Sequence, residues 1–220
     1  MTYALREGVS FCAIEDRLLF LDLPADRYFC LARGAEESFG RLYRGAELDA
    51  TDRRRLEGLA DAGLLIDRSD LPPIAPCPSP TAATRNLPGE VSSSPAIRDL
   101  VAALAQLARA PLELRATGFA RAIERIRRRK ARVDNAIAPA RVSAVAAAFA
   151  ACAQLVSAHD RCLPQSLAVT HRLIGLGARP DLVIGVKLAP FRAHAWVQWG
   201  DWLVNERADV TRLFTPILVV

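Results

Sequence analysis

Three short apolar runs open the chain, and each is bounded by turn-forming residues. They predict β-strands at 10–14, 18–23 and 27–31. Beyond Gly34 the apolar positions recur every three or four residues, which predicts helices around Phe39 and Leu56. The pattern therefore indicates a small three-stranded sheet backed by two or three helices. Such a sheet leaves one strand edge unpaired, and a peptide can add to that edge.

The last sixty residues change from a helical to a strand-like pattern. Apolar positions suit a helix at 164–176, which Gly175 or Gly177 would end. The segments that follow are rich in β-branched and aromatic residues and predict strands at 182–186, 195–199 and 202–205. Gly200 and Asp201 separate the last two of these strands, which predicts a hairpin.

A proline-rich segment divides the chain between the two patterns. Seven of the fourteen prolines fall between residues 69 and 95, and this composition favours extended, unpaired backbone. We therefore predict a first domain at 1–68, a linker at 69–95 and a second domain at 96–220.

The net charge also differs between the two sides of the proline-rich segment. Residues 1–68 carry a net charge of −3 and residues 96–220 a net charge of +9, so the positive charge of the chain belongs to the second domain. Its densest part is the segment 121–132. We interpret this segment as a solvated helix face, or else as a surface that attracts an anionic peptide or nucleotide. No aromatic residues interleave with the charges, so we expect no nucleic-acid partner.

Composition also excludes several classes of protein. No stretch reaches the roughly 18 uncharged apolar residues of a membrane span, and the first residues lack the features of a secretory signal. We therefore expect a cytoplasmic protein with no membrane partner, whose five cysteines are free thiols. No Cys or His pair has the short spacing of a zinc site, and no Gly-rich phosphate loop occurs. We expect neither a metal nor a cofactor in this chain.

One constellation of residues suggests catalysis. Cys162 is followed after thirty-two residues by His194, and then by Asn205 and Glu206. A Cys, then a His, then a polar orienting group is the chain order of papain-like and transglutaminase-like nucleophilic sites. A thiol is a useful nucleophile only as thiolate, and a helix N-terminus or an imidazolium lowers its pKa from about 8.5. Cys162 is predicted to lie at the positive end of the helix at 164–176.

The third member of the constellation depends on the strand register. A two-residue turn at 200–201 would place Asn205 on the His194 face of the hairpin, whereas one extra loop residue would place Glu206 there. Either side chain can accept the second N–H of the imidazole ring. The residues alone leave open whether Asn205 or Glu206 orients the imidazole.

Four motifs in the second domain carry a family resemblance. They are Cys-Leu-Pro-Gln-Ser-Leu at 162–167, Gly-Leu-Gly-Ala at 175–178, Ile-Gly-Val at 184–186 and Pro-Phe-Arg-Ala-His-Ala-Trp-Val at 190–197. Together they resemble the transglutaminase-like leader peptidase of lasso peptide biosynthesis, the B protein. The resemblance implies a triad of Cys162, His194 and Glu206 that cleaves a leader from a precursor peptide. It also implies a partner, an asparagine-synthetase-like cyclase that uses ATP to close the freed core.

The first domain carries a second resemblance, through 27–31, the helix after it and Ala-Gly-Leu-Leu at 62–65. It is similar to the peptide-recognition domain of ribosomal peptide maturation systems, related to the pyrroloquinoline quinone peptide chaperone. The resemblance implies that the leader pairs with the third strand and packs against the second helix. The implied leader-binding residues are Arg27, Tyr28, Phe29, Cys30, Leu31, Arg55, Leu56 and Leu59. Tyr28, Cys30 and Arg55 are the stronger candidates, because the period of the others also suits an ordinary core.

The sequence as a whole predicts an α+β protein. A winged-helix-like recognition domain is joined by a Pro-rich linker to a papain/transglutaminase-like cysteine peptidase domain. Two alternative functions use the same residues: a non-catalytic precursor chaperone for a cyclase, and an acyl transferase with the same triad. A winged-helix DNA regulator would need a basic recognition helix, and the acidic first domain argues against it.

Overall fold

The computed structural model describes four ranges of the chain: 3–67, 73–87, 95–153 and 162–220. The chain divides into two compact units, 1–78 and 79–220. Each unit contains both helices and β-strands, so the predicted α+β class is confirmed.

A three-stranded antiparallel sheet and two helices make up most of the first unit. Its elements are β1 (Tyr3–Leu5), β2 (Val9–Ile14), β3 (Arg17–Asp22), β4 (Arg27–Cys30), α1 (Arg33–Tyr43), α2 (Ala50–Asp61) and β5 (Leu65–Asp67). Strands β2, β3 and β4 pair in chain order, as the three apolar runs predict. Strands β1 and β5 form a separate two-stranded ribbon that the sequence pattern did not reveal. Within the described ranges, β4 is an edge strand of its sheet.

Aromatic rings form the core of the first unit. Phe11, Phe20 and Phe29 occupy paired register positions on neighbouring strands, so all three project from the same face of the sheet. Their rings stack in sequence, with centroids 5.5 and 5.3 Å apart, and Phe39 from α1 meets Phe11 and Phe20 edge-on. Such geometry adds to the stability gained from burial. Because side chains alternate along a strand, Cys12 and Cys30 project from the opposite face.

The second unit combines a layer of helices with a five-stranded sheet. Its elements are β6 (Arg85–Asn86), α3 (Ile97–Thr117), α4 (Phe119–Lys130), α5 (Pro139–Ala153), α6 (Cys162–Gly175), β7 (Asp181–Lys187), β8 (Arg192–Trp199), β9 (Trp202–Leu203), α7 (Ala208–Thr211) and β10 (Thr215–Val219). The strand order is β10-β7-β8-β9-β6, antiparallel except where β6 pairs with β9. Across the described residues, none of the helices is both long and apolar enough to cross a membrane.

Helix α6 is the central element of the second unit. It packs against α3 and α5 on the helical side and against β8 on the sheet side. Leu167, Ala168 and Val169 are fully buried, because a helix between two layers buries side chains on most of its surface. The helix begins at Cys162, two residues earlier than the predicted 164–176. Its N-terminus therefore places the candidate nucleophile beside the start of β8, the central strand of the sheet.

Residues 73–87 of the predicted linker fold onto the two units. Ile74 joins the core of the first unit, and the Cys77 N–H donates to the Phe11 carbonyl at 2.7 Å. Farther along, β6 pairs with β9, and the Thr84 N–H donates to the Asp201 carbonyl at 2.9 Å. Prolines lack a backbone N–H, which is why the composition suggested an unpaired tether, but the other residues of this segment supply the N–H groups for these bonds. The remaining linker positions, 68–72 and 88–94, lie outside the described residues.

A buried carboxylate joins three helices of the second unit. Asp99 on α3 is only 3% exposed and accepts hydrogen bonds from Arg141 on α5 at 2.6 and 2.7 Å. Arg172 on α6 lies 3.3 Å from the same carboxylate. The hydrogen bond from Arg141 lowers the pKa of Asp99, so the group is charged at neutral pH. Asp99 therefore connects α6 to the helices that support it.

We expect Asp99→Asn to destabilise the second unit by about 3 kcal/mol, because it leaves two arginines beside a neutral buried group. Urea unfolding monitored by tryptophan fluorescence measures this selectively, since all three tryptophans lie in the second unit. Asp209→Asn is the matched control: its pair with Arg207 is largely exposed and should contribute little. Equal unfolding midpoints for the two variants would contradict the role of Asp99.

Candidate active site

Cys162 is the first residue of α6, and its thiol lies at the positive end of the helix dipole. Two backbone N–H groups, those of Ala195 and Leu163, donate hydrogen bonds to the sulfur. The side chain is half-buried, so part of it remains accessible. These are the conditions under which a protein thiol becomes nucleophilic.

His194 lies on β8, and a glycine on the neighbouring strand determines its surroundings. Gly185 of β7 pairs directly with His194. A Cβ on Gly185 would lie 2.6 Å from Cζ3 of Trp196 and 2.8 Å from Cβ of Phe214, so only glycine admits these two rings. Trp196 and Phe214 pack on the imidazole, with centroids 6.3 and 5.2 Å from its own. The ring is therefore held on one side by aromatic contacts.

The thiol of Cys162 and the imidazole of His194 are hydrogen-bonded to each other. Burial raises the pKa of Cys162, but the hydrogen bond from His194 and the backbone N–H of Ala195 outweigh burial and leave that pKa below the ordinary thiol value. The pair therefore favours thiolate and imidazolium over the two neutral groups. Such an ion pair is the reactive form of a cysteine nucleophile.

Glu206 completes the arrangement. Its Oε2 lies 2.6 Å from His194 Nε2, which leaves Nδ1 for the sulfur. Burial lowers the pKa of His194, but the hydrogen bonds with Cys162 and Glu206 outweigh burial and raise that pKa to about 9. The carboxylate thus orients the ring and stabilises its charged form, the role of the third member of a triad.

The side-chain hydrogen bonds of Asn205 go to Val197 and Ser166, although the two-residue turn of the hairpin would place Asn205 on the His194 face. The register at 198–203 confirms that turn. The strand pairing ends soon after Val204, however, and the chain then leaves the sheet, so face alternation no longer decides which side chain reaches the imidazole. The residues alone left Asn205 and Glu206 open, and the structure places Glu206 at the ring.

Asn205 instead joins α6 to β8. Its Oδ1 accepts the Val197 N–H at 2.7 Å, and its Nδ2 donates to Ser166 Oγ at 2.9 Å. Ser166 in turn donates to the Ala195 carbonyl at 2.9 Å. This fully buried serine fixes the helix to the residue after His194, and sequence reasoning missed its role. The only signal was its position one helical turn after Cys162.

The first unit places the implied leader-binding residues in two settings. Arg27, Tyr28, Phe29 and Cys30 form the edge strand β4, and Phe29 and Leu31 pack against the core. Arg55 donates to the Gly34 carbonyl at 3.1 Å, and Leu59 also packs against the core. Leu56 is fully buried. The expectation that Leu56 lines a groove is therefore wrong, since its side chain fills the core between α2 and the sheet.

The basic segment 121–132 lies mainly on α4. Its side chains form ion pairs and hydrogen bonds that hold α4 against neighbouring elements. Four of its cations have partners within the second unit: Arg125 with Glu113, Arg128 with Glu124, Arg129 with His171 and Lys130 with Asp181. Three of these partners belong to α3, α6 and β7. Much of the charge that appeared available for an anionic ligand is therefore used in packing.

The described ranges hold no group of three or more His, Cys, Asp or Glu side chains that could coordinate a metal ion.

We expect Glu206→Gln to slow the reaction of Cys162 with iodoacetamide about tenfold at pH 7, because a charge-assisted hydrogen bond to the imidazolium is lost. Without the carboxylate the pKa of His194 falls from about 9, the neutral imidazole becomes favoured, and the thiol keeps its proton. Mass spectrometry of the Cys162 peptide measures the rate, with Asp209→Asn as the control for loss of a nearby exposed carboxylate. An unchanged rate for Glu206→Gln would show that the carboxylate does not stabilise the pair.

Comparison with known proteins agrees with this geometry for the second unit. A search of curated proteins and a search of solved structures found no match. Among protein families, residues 80–219 match the transglutaminase-like superfamily, which covers more than half of the chain and all of the site just described. The chain therefore belongs to the transglutaminase-like superfamily.

Proposed function

We propose that this protein is a cysteine peptidase that cleaves the leader from a ribosomally made precursor peptide during lasso peptide maturation. The observation that carries the proposal is the alignment of Cys162, His194 and Glu206 at the N-terminus of α6. Membership of the transglutaminase-like superfamily supports peptidase or acyl-transfer chemistry in general. The resemblance of the motifs around Cys162 and His194 to the lasso B protein supplies the substrate class.

The proposed reaction proceeds through an acyl-enzyme. The thiolate of Cys162 attacks the scissile carbonyl, and the C–N bond breaks as His194 gives a proton to the departing amine of the core. The leader remains on Cys162 as a thioester. Water then gives its proton to His194 and attacks the thioester, which releases the leader as a carboxylic acid and restores the thiol. Backbone N–H groups near Cys162 are the candidates to stabilise the oxyanion.

We assign leader binding to the first unit. Strand β4 is an edge strand within the described ranges, and its Arg27 side chain is 65% exposed. A peptide that adds a strand here would gain affinity from backbone hydrogen bonds and selectivity from side chains on both faces. Binding of the leader on the same chain would raise the effective concentration of the scissile bond near Cys162, because the two encounters become intramolecular.

The resemblance also suggests where this step occurs and which partner follows it. We place the protein in the cytoplasm, where its cysteines would stay reduced. The freed core amine would pass to an asparagine-synthetase-like lasso cyclase, to which we attribute the use of ATP. The peptidase step itself requires no cofactor, because the triad supplies both nucleophile and acid–base group.

We expect Cys162→Ala to abolish release of the leader from a precursor peptide, with loss of at least about a thousandfold in rate since the nucleophile is removed. Mass spectrometry of the products measures this, and Cys152→Ala, which alters a cysteine buried in α5, is the control. Hydrolysis yields a leader with a free carboxylate. A leader joined to an added amine would instead indicate an acyl transferase, and equal products from wild type and Cys162→Ala would indicate a chaperone.

We expect methylation of a single backbone nitrogen of the leader peptide to weaken binding at every second position of the bound segment. Only every second N–H of an added strand points at the sheet, so alternate positions should weaken binding about fivefold or more, the value of one or two lost hydrogen bonds. Fluorescence anisotropy with the full-length Cys162→Ala protein measures binding without turnover. Equal tolerance at all positions would exclude strand addition to β4.

A further inference from the structure

Helix α3 carries an apolar stripe on its surface. In the described ranges six large apolar side chains are exposed, and four of them lie on this helix. They are Ile97, Val101, Leu104 and Leu112, which are 79%, 61%, 44% and 62% exposed. Their spacing of four, three and eight residues places them on one face of the helix, along about 22 Å of its length. An exposed apolar patch of this extent marks a surface that binds another molecule.

The opposite face of α3 makes the contacts that the second unit itself needs. Asp99, Ala103 and Ala110 project from that face and are buried, and the helix packs there against α5 and α6. The stripe therefore faces away from α6, and packing within the second unit does not account for its apolar side chains. Since α6 lies between α3 and the sheet, a molecule bound to the stripe would leave Cys162 and His194 uncovered.

The exposed charges of α3 are all positive. Arg98, Arg109 and Arg115 are exposed, whereas the two acidic residues of the helix, Asp99 and Glu113, are only 3% and 8% exposed. Both carboxylates already pair with arginines of neighbouring helices. Arg98 lies 3.8 Å from Asp99, yet its side chain remains 80% exposed. The surface of α3 therefore offers cations and no exposed carboxylate.

The arginines follow the stripe rather than surround the helix. Arg98 and Arg109 are eleven residues apart, which is about three turns, so both border the same edge of the stripe. Arg115 follows Leu112 by one turn and continues the stripe at its C-terminal end. An apolar face bordered by cations is complementary to an amphipathic helix whose carboxylates lie beside its apolar positions.

Two other occupants fit this surface less well. A second copy of the chain would bring the arginines beside each stripe into one interface, where like charges repel. Helices that bind a membrane surface combine a Lys- or Arg-rich polar face with Trp, Phe or Leu on the apolar face. The stripe on α3 holds no aromatic residue, and the opposite face of the helix is buried in protein.

We propose that the stripe is a docking site for an acidic amphipathic helix of a partner protein. Apolar side chains of that helix pack against Val101, Leu104 and Leu112, and its carboxylates accept hydrogen bonds from Arg98 and Arg109. The stripe spans about four turns, so the segment of the partner that it binds has about 16 residues. This binding goes beyond the proposed function, because it requires neither the triad nor a peptide substrate.

Selection from a displayed library of helical peptides tests the site. Each peptide has about 16 residues, with apolar residues fixed on one face and Glu, Lys, Gln or Ser varied at the other positions. The full-length wild-type protein is the bait, and clones that also bind Val101→Gln/Leu112→Gln protein are discarded. We expect the remaining clones to be enriched in Glu beside the apolar face.

Fluorescence anisotropy of the selected peptides measures the contribution of each part of the site. Val101→Gln/Leu112→Gln should weaken binding about tenfold or more, because two apolar contacts are lost. Leu213→Gln is the matched control, since Leu213 is also 62% exposed but lies outside α3. Arg109→Gln should weaken binding about threefold and reduce its salt dependence. Arg179→Gln, which alters an exposed arginine outside α3, should do neither.

Cleavage of a precursor peptide separates this proposal from the proposed function. Val101→Gln/Leu112→Gln should cleave at the wild-type rate, because both positions are exposed and remote from the triad. Peptide binding by a wild-type protein that cleaves nothing would refute the peptidase and keep the docking site. Cleavage without any selected acidic clone would refute the docking site and keep the peptidase.

Three further results would overturn the proposal. One is binding that Leu213→Gln weakens as much as Val101→Gln/Leu112→Gln does. The second is self-association in sedimentation velocity that Val101→Gln/Leu112→Gln abolishes, which would assign the stripe to a second copy of the chain. The third is co-sedimentation with vesicles of phosphatidylcholine and phosphatidylglycerol that the same variant abolishes, which would assign the stripe to lipid.

Discussion

The contact between the N-terminus of α6 and the start of β8 is the interaction on which the candidate site depends. Cys162 and His194 lie thirty-two residues apart in sequence, and their hydrogen bond exists only because the helix and the strand are fixed together. Ser166 provides that attachment: it donates to the Ala195 carbonyl and accepts from Asn205, and the Asn205 side chain also holds the Val197 N–H. All three contacts lie within a few residues of the reacting atoms. A shift of about 1 Å at such a position is enough to impair catalysis strongly.

In this site, hydrogen bonds and nearby charges together change the pKa values of Cys162 and His194 more than burial does. Burial alone would raise the pKa of the thiol and lower that of the imidazole, and would favour two neutral groups. The mutual hydrogen bond, the backbone N–H groups at the sulfur and the carboxylate of Glu206 reverse both tendencies. Asp99 contributes from a distance, because it holds α6 against α3 and α5 and thus keeps the helix terminus in place.

Sequence reasoning succeeded where local pattern and chain order carry the information. The start of α6 near Cys162, the strands after it and the position of His194 all follow from periodicity and turn residues. It was limited where three-dimensional contacts decide. The residues alone left Asn205 and Glu206 open, because Glu206 reaches His194 where pairing ends just after Val204, and no propensity marks that point. Leu56 is fully buried because α2 turns it toward the aromatic rings of the sheet, although the same spacing also suits a groove. Ile74 and β6 find hydrogen-bonding neighbours in a segment whose prolines suggested a tether.

The exposure of the triad bears on the choice between hydrolysis and acyl transfer. The side chains of His194 and Glu206 are 19% and 21% exposed, so solvent reaches the imidazole that must activate the second nucleophile. Water is present at far higher concentration than any amine. A transferase therefore needs a bound amine positioned at the thioester, or a closed site that excludes water. A partly exposed imidazole supports the hydrolysis proposed above.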